Sequence, residues 1–389
     1  MPGKILMLSH TYPLDGDSGV TPFVGHIGEQ MEREGFDVHV LLPEHPGLEE
    51  WGEATLHTFT YSGQRSLEYK DVSDDRADIS PVEVAKYVLN CYRRAAALHN
   101  VHGFDLVHAH WAVPSGIPAA TLKLLHGTPL VVHTHGRDVY NIPEIGYDVP
   151  ADPRARTVIR SVIRLADHVV ANSHSCRRYA RRLGAGGWKS SVIPYGVDLD
   201  EFSPGRSDAA LRDTLADRDD TLLLYVGDLI YRKGVQTLIE AVKEVDAVSL
   251  AVVGDGPYRE ELERMAGGDP SITFCGWKPH GDIPRFMATA DVFVMPSLIE
   301  AFGIVNIEAL ATGTPVIGAE TGGIPDIIDE DVGRTFEPGN VDQLQARIEE
   351  LSGSEELQEE LGRNGRERAE ERYNWDVFGQ ELEEIYRST

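Results

Sequence analysis

The sequence predicts an α/β protein built as two doubly wound, Rossmann-like domains facing a cleft, and three observations carry that expectation. The length of 389 residues suits two domains of ordinary size. Short continuous apolar runs alternate with longer amphipathic stretches, the pattern of parallel sheets covered on both faces. Two such series follow one another, with a turn-rich segment between them.

In the first series the expected strands are residues 4–9, 37–42, 105–109, 129–134, 168–171 and 191–193. In the second they are 221–226, 248–253, 272–275, 292–295 and 315–318. Pro194, Gly196, Pro204 and Gly205 mark the connecting segment as a linker. The expected domains are therefore 1–195 and 196–370, both Rossmann-like. Residues 371–389 are expected to form a helix that packs back on the first domain. Its apolar face would be Trp375, Phe378, Leu382 and Ile385, at spacings of three and four.

Composition narrows the class. Apolar residues make up 41% and charged residues 25%, the balance of a globular chain. No apolar run approaches the roughly 20 residues that cross a bilayer. The run Ile5 to Leu8 is too short for a signal peptide and reads as a first buried strand. Cys91, Cys176 and Cys275 are odd in number and form no Cys-x-x-Cys, which points to a reducing, cytoplasmic setting. The formal charge of −27 argues against a nucleic-acid partner, which would need a basic surface. Most of that charge lies after residue 200, and it suits a salt-rich environment in which self-repulsion is screened.

Ligands of doubly wound sheets bind beyond the carboxyl ends of the strands, near helix N-termini. After the run 221–226 comes Gly227-Asp228-Leu229-Ile230-Tyr231-Arg232-Lys233-Gly234. Arg232 and Lys233 stand there at a strand-to-helix turn, where helix amides already favour anions, so the pair could clamp a diphosphate. A solvated Arg-Lys pair capping a turn has the same sequence. No Walker A loop occurs. Further on, a strand ends near Pro296 and a helix begins around Phe302 to Ile304. Glu300 precedes that helix and Glu308 lies about a turn inside it. They cannot share a helix face, so they would grip two parts of an elongated ligand rather than work as a carboxylate pair.

Glu-x7-Glu within Glu300-Ala301-Phe302-Gly303-Ile304-Val305-Asn306-Ile307-Glu308 resembles the donor-site motif of the retaining GT-B-fold glycosyltransferases of family 4. Six further blocks resemble that family in its order: H-T-H-G-R-D, I-P-Y-G-V-D-L-D-E-F, Y-V-G-D-L-I-Y-R-K-G, V-V-G-D-G-P, A-D-V-F-V-M-P-S and G-G-I-P-D-I-I. Residues 43–100 resemble it least and would face the acceptor. The resemblance implies that Arg232 and Lys233 neutralise the donor diphosphate, that Glu300 grips the transferred sugar and that Glu308 holds the ribose. It implies that the backbone of Phe302, Gly303, Ile304 and Val305 cradles phosphate or sugar, and that His135 is the active-site histidine. Gly16, Gly19 and Gly227 would let backbone approach the donor. Asp228 departs from the family, which often carries arginine there. The base would lie near Lys278 to Asp282.

That family implies a hexose-type donor and retention of anomeric configuration. The acceptor would be a hydroxyl of a glycan, a lipid-linked sugar or a small molecule. An epimerase, a disaccharide synthase or a non-catalytic sugar-nucleotide binder remains an alternative on the same residues. Two cations at the diphosphate make a bridging metal dispensable, and Asp15-Gly16-Asp17 and Asp198-Leu199-Asp200 are loop segments, so no cofactor is expected. The pairs His108/His110 and His133/His135 could each offer two ligands from one strand face. Without a third ligand at recognisable spacing they read instead as strand-end histidines lining a polar cleft.

A basic cluster stands out in so acidic a chain. Arg156, Arg160 and Arg164 recur every four residues, and Arg177, Arg178, Arg181 and Arg182 form a second run. Peripheral contact with an anionic membrane at its inner face, or with a phosphate-bearing acceptor, is one reading. A solvated helix face paired with nearby acids is the other.

Overall fold

The computed structural model describes residues 3–11, 22–45, 48, 52–61, 81–145, 147 and 152–389. The chain divides into two compact units, one of Met1–Pro194 with Trp375–Thr389 and one of Tyr195–Asn374.

The first unit is a seven-stranded parallel sheet of order β3-β2-β1-β4-β5-β6-β7. Its strands are β1 (Lys4–Leu8), β2 (Asp37–Pro43), β3 (Thr55–Phe59), β4 (Leu106–His110), β5 (Leu130–Thr134), β6 (His168–Ala171) and β7 (Ser190–Val192). The crossover helices are α1 (Pro22–Arg33), α2 (Pro81–His102), α3 (Gly116–His126), α4 (Pro153–Leu165) and α5 (His174–Leu183). β1, β4 and β5 are buried on both faces almost throughout, which is why they are unbroken apolar runs. Asp152 caps α4 by accepting from the Arg154 amide, with Pro153 at the first helical position, and Ser173 caps α5 by accepting from Cys176.

The second unit is a six-stranded parallel sheet of order β10-β9-β8-β11-β12-β13. It runs α6 (Ala209–Leu215), β8 (Thr221–Val226), α7 (Val235–Val242), β9 (Val248–Val253), α8 (Arg259–Ala266), β10 (Ile272–Gly276) and α9 (Ile283–Thr289). It continues through β11 (Val292–Met295), α10 (Ile304–Ala311), β12 (Val316–Ala319), α11 (Ile324–Ile327), β13 (Gly333–Phe336), α12 (Val341–Ser352) and α13 (Glu355–Arg372). Its core joins Leu223, Tyr225, Leu238, Leu250, Val294 and Ile317 from sheet and helices.

Two strands escaped the sequence. β3 alternates between half-exposed and exposed residues before Phe59, and β13 is Gly-Arg-Thr-Phe. Both lie at sheet edges, where burial on two faces, and the apolar run it demands, is missing. The expected tail helix starts at Trp375 rather than at residue 371. α13 ends at Arg372, Val197 donates from its amide to the Tyr373 carbonyl at 2.7 Å, and α14 (Trp375–Ser388) begins afresh. α14 belongs to the first unit and lies against α1. It buries Phe378, Leu382, Ile385 and Tyr386, while Trp375 is only half-buried and stacks on His26 with centroids 4.8 Å apart. The segment expected as a linker is also built in, since Tyr195, Val197 and Phe202 are buried.

Candidate functional site

In the second unit the strand order reverses between β8 and β11, and the crevice beyond their carboxyl ends is where doubly wound sheets bind ligands. The residues picked out by sequence follow these two strands. Tyr231–Lys233 form a short 3-10 turn after β8, and residues 296–303 lead from β11 into α10. Lys233 Nζ donates to Glu300 Oε2 at 2.6 Å, with both side chains largely buried. Arg232 is buried, and its carbonyl accepts from the Leu298 amide at 2.8 Å, so the cationic turn and the glutamate loop are fastened by backbone as well.

Glu300 also accepts from the Ala301 amide at 3.2 Å, and its own carbonyl accepts from Gly323 at 3.0 Å. Gly322 has φ +58, and a Cβ there would overlap the Glu300 carbonyl. Only glycine fits this close approach. Gly303 precedes α10 at φ +87, a conformation that turns the chain sharply into the helix and leaves the amides of Ile304 and Val305 at its mouth. Phe302 is buried against Tyr195, with ring centroids 5.3 Å apart. Gly227 follows β8 directly, and the Asp228 carbonyl accepts from the Tyr225 hydroxyl at 2.9 Å.

Glu308 does not join Glu300. It lies in the second turn of α10, 6% exposed, and its Oε1 is 3.2 Å from His280 Nε2. That contact, against the opposing cost of burial, raises the His280 pKa above its ordinary 6.5. The stretch 278–282 was singled out for a base, but the partnership of His280 with Glu308 had no sequence signal, since 28 residues separate them.

The first unit holds His135, directly after β5. Its Nε2 is 3.2 Å from His110 Nδ1, at the end of β4, and Trp111 and Phe23 pack around its ring at 4.4 and 4.9 Å. Trp111 itself has φ +68, an unusual backbone for a bulky residue. Asp138, the last residue of the block H-T-H-G-R-D, accepts from the amides of His135 and Gly136 at 3.2 Å each and of Ala112 at 2.8 Å. It thereby ties the loop after β4 to the loop after β5, and burial pushes its carboxyl up to about 6. Gly16 and Gly19 lie outside the described residues.

Of the two histidine pairs only His135 keeps exposed surface. His108, His110 and His133 have no exposed surface, and burial holds all three well below the usual imidazole range. Nor do they lack a third neighbour, for parallel strands bring one nitrogen from each within 4.8 Å of the others. Their rings stack, however, with 14° between the planes of His108 and His133 and 24° between His110 and His133. The Tyr386 hydroxyl of α14 is 2.6 Å from His108 Nδ1, so this buried row runs from the last helix to His135.

Arg154, Arg156, Arg164, Arg178, Arg181 and Arg182 are exposed on α4 and α5, and Trp188 beside them is 82% exposed. Arg177 instead donates to Ser190 and to the Gly187 carbonyl. Among the described residues no acid stands within ion-pairing distance of Arg156, Arg160, Arg164 or the α5 arginines. No described helix is long and apolar enough to cross a membrane.

Comparison with known proteins bears on both units. Residues 207–368 match the family described as glycosyl transferases group 1, and residues 18–196 match the glycosyl transferase 4-like domain. The GDP-mannose-dependent alpha-(1-6)-phosphatidylinositol monomannoside mannosyltransferase of Mycolicibacterium smegmatis is 30% identical over 75% of this chain and 78% of its own. The sulfoquinovosyl transferase of Arabidopsis thaliana is 30% identical over 70% of this chain, a match spanning 54% of that protein. Among solved structures, sucrose-phosphate synthase of Thermosynechococcus elongatus is 25% identical, with TM-score 0.79 over 99% of this chain and 98% of its own. Matched in both units by sequence and over nearly its whole length by fold, this chain belongs to the group 1 glycosyltransferases of GT-B fold.

Proposed function

We propose that the chain is a retaining, metal-independent hexosyltransferase that moves a hexose-type sugar from a nucleotide-diphosphate donor to a hydroxyl of a glycan, lipid-linked or small-molecule acceptor. The observation that carries this reading is the Lys233–Glu300 pair beside the mouth of α10. A donor seated there offers each partner a better one. The diphosphate draws Lys233 and Arg232, and the sugar hydroxyls draw the Glu300 carboxylate. Glu308, held by His280, is left for the ribose.

In the reaction the bond from the anomeric carbon to the phosphate oxygen breaks, and a bond to the acceptor oxygen forms on the same face. The acceptor proton passes to the departing phosphate. Lys233, Arg232 and the amides at the start of α10 stabilise the charge building on that oxygen. Two cations so placed supply what a bridging ion would, hence the metal-independent reading. His135, kept neutral by burial, can accept a hydrogen bond from a sugar hydroxyl or donate one to it. The exposed arginines of α4 and α5 favour an acceptor presented at an anionic surface, in keeping with a relative named for a phosphatidylinositol mannoside.

Turnover is measured as nucleoside diphosphate released from GDP-mannose, UDP-glucose and ADP-glucose, with and without acceptor and in EDTA. Acceptor-dependent release that EDTA leaves unchanged is expected. Lys233→Ala and Glu300→Ala should each lower kcat by about 10²–10³. Unchanged turnover in both variants would overturn the assignment, and acceptor-independent loss of donor would favour another GT-B chemistry.

A further inference from the structure

The loops described above follow the carboxyl ends of the strands; a second histidine group gathers at the opposite, amino-end edge of the first sheet. His39 is the third residue of β2 and His57 the third of β3, while His102 ends α2, which returns to that edge before β4. One imidazole nitrogen from each of the three lies within 4.8 Å of the other two.

The arrangement differs from the buried row at His108 in two ways. First, nitrogens meet rather than ring faces. His39 Nδ1 and His57 Nε2 are 2.8 Å apart, and their rings are coplanar, 0° between planes with centroids at 5.1 Å. That is an edge-to-edge contact along which a single proton is shared. The His102 ring lies 4.5 Å from His39 and 5.8 Å from His57, centroid to centroid. Second, there is a way in, because His39 is buried but His57 and His102 are half-buried.

A carboxylate completes the set. Asp37 Oδ1 is 3.3 Å from His39 Nε2 and places the ring proton on that nitrogen, leaving the Nδ1 lone pair toward His57. Histidines that bind metals are held by a carboxylate in this manner. The other oxygen of Asp37 faces Lys4 at 3.4 Å, and Phe104 walls the group with its ring 5.1 Å from His39. Three imidazoles with an open fourth position suit zinc-class cations rather than the oxygen-seeking calcium or magnesium. A tetrahedral ion spaces its nitrogens about 3.3 Å apart, so the His39 and His57 rings turn out of their head-on contact as the site forms.

We infer that His39, His57 and His102 form a divalent transition-metal site that clips edge strand β3 and the end of α2 to β2. Its role is structural, at the end of the first sheet opposite the one that carries His135. The ion takes the place of the proton between His39 and His57, and His57 stays a neutral imidazole by carrying that proton on Nδ1 instead.

The test uses the full chain without a histidine tag and Co²⁺ as a visible probe. One equivalent of Co²⁺ should give the intense visible bands of a tetrahedral ion, and Zn²⁺ should displace them. Saturating Zn²⁺ should raise the melting temperature by about 5 °C. His57→Ala and His102→Ala should each lose the bands and the shift while keeping the native circular dichroism and turnover. His126→Ala, in the neighbouring His99–His126 pair, should keep both. Absence of the bands in the parent protein would overturn the site, as would bands that survive His57→Ala or disappear in His126→Ala.

Discussion

At the scale of single residues, each unit presents carboxylates and bases whose partners are already chosen. Glu300 has Lys233, Glu308 has His280, and Asp138 has three backbone amides. The His280–Glu308 pair has a definite pH signature. Because the folded pKa of His280 lies above 6.5, the pair's contribution is fully present below that value and fades as pH rises through the folded value. Melting curves of the parent and His280→Gln between pH 6 and 9 should therefore differ most at the acidic end and converge at the alkaline end. A gap that stays constant with pH would mean His280 is not charged in that pair. Sequence placed Glu300, Glu308, Arg232 and Lys233 at the right turns, because strand ends and helix starts are legible from local pattern. It could not show that Lys233 and Glu300 touch across 67 positions, nor that Asp138 rather than its neighbours fastens two loops.

At the scale of elements, continuously buried strands were the easiest to read. β1, β4, β5, β8, β9 and β11 are buried nearly throughout and were all anticipated. β3 and β13, at the edges, left no apolar run to find. The histidine rows show the same limit, since His-x-His spacing revealed which residues share a strand face but not what the adjacent strand or α2 adds. The basic helices carry their own prediction. Arginines of α4 and α5 near an anionic surface contribute about 1 kcal/mol each, so Arg181→Ser/Arg182→Ser should weaken binding to vesicles containing anionic lipid about thirtyfold. Sedimentation that ignores the lipid charge would remove the membrane from the proposal and leave a soluble phosphate-bearing acceptor.

At the scale of the whole molecule, the net charge of −27 sets the conditions under which all of this holds together. Like charges at this density repel within each unit, and added salt screens them. The melting temperature should rise as KCl goes from 0.1 to 2 M, with most of the gain from the second, more acidic half. Calorimetric melts across that series check it, and a falling temperature would show that salt weakens favourable pairs more than it relieves repulsion.

The return of α14 to the first unit has a consequence for how the protein is made. Residues 375–389 complete a sheet domain whose strands were all synthesised by residue 192. While the ribosome is adding the second unit, the first waits with the surface for Phe378 and Leu382 uncovered and His108 without its tyrosine. The second unit can thus finish folding before the first, and a premature stop near residue 374 would spare the second unit while leaving the first open.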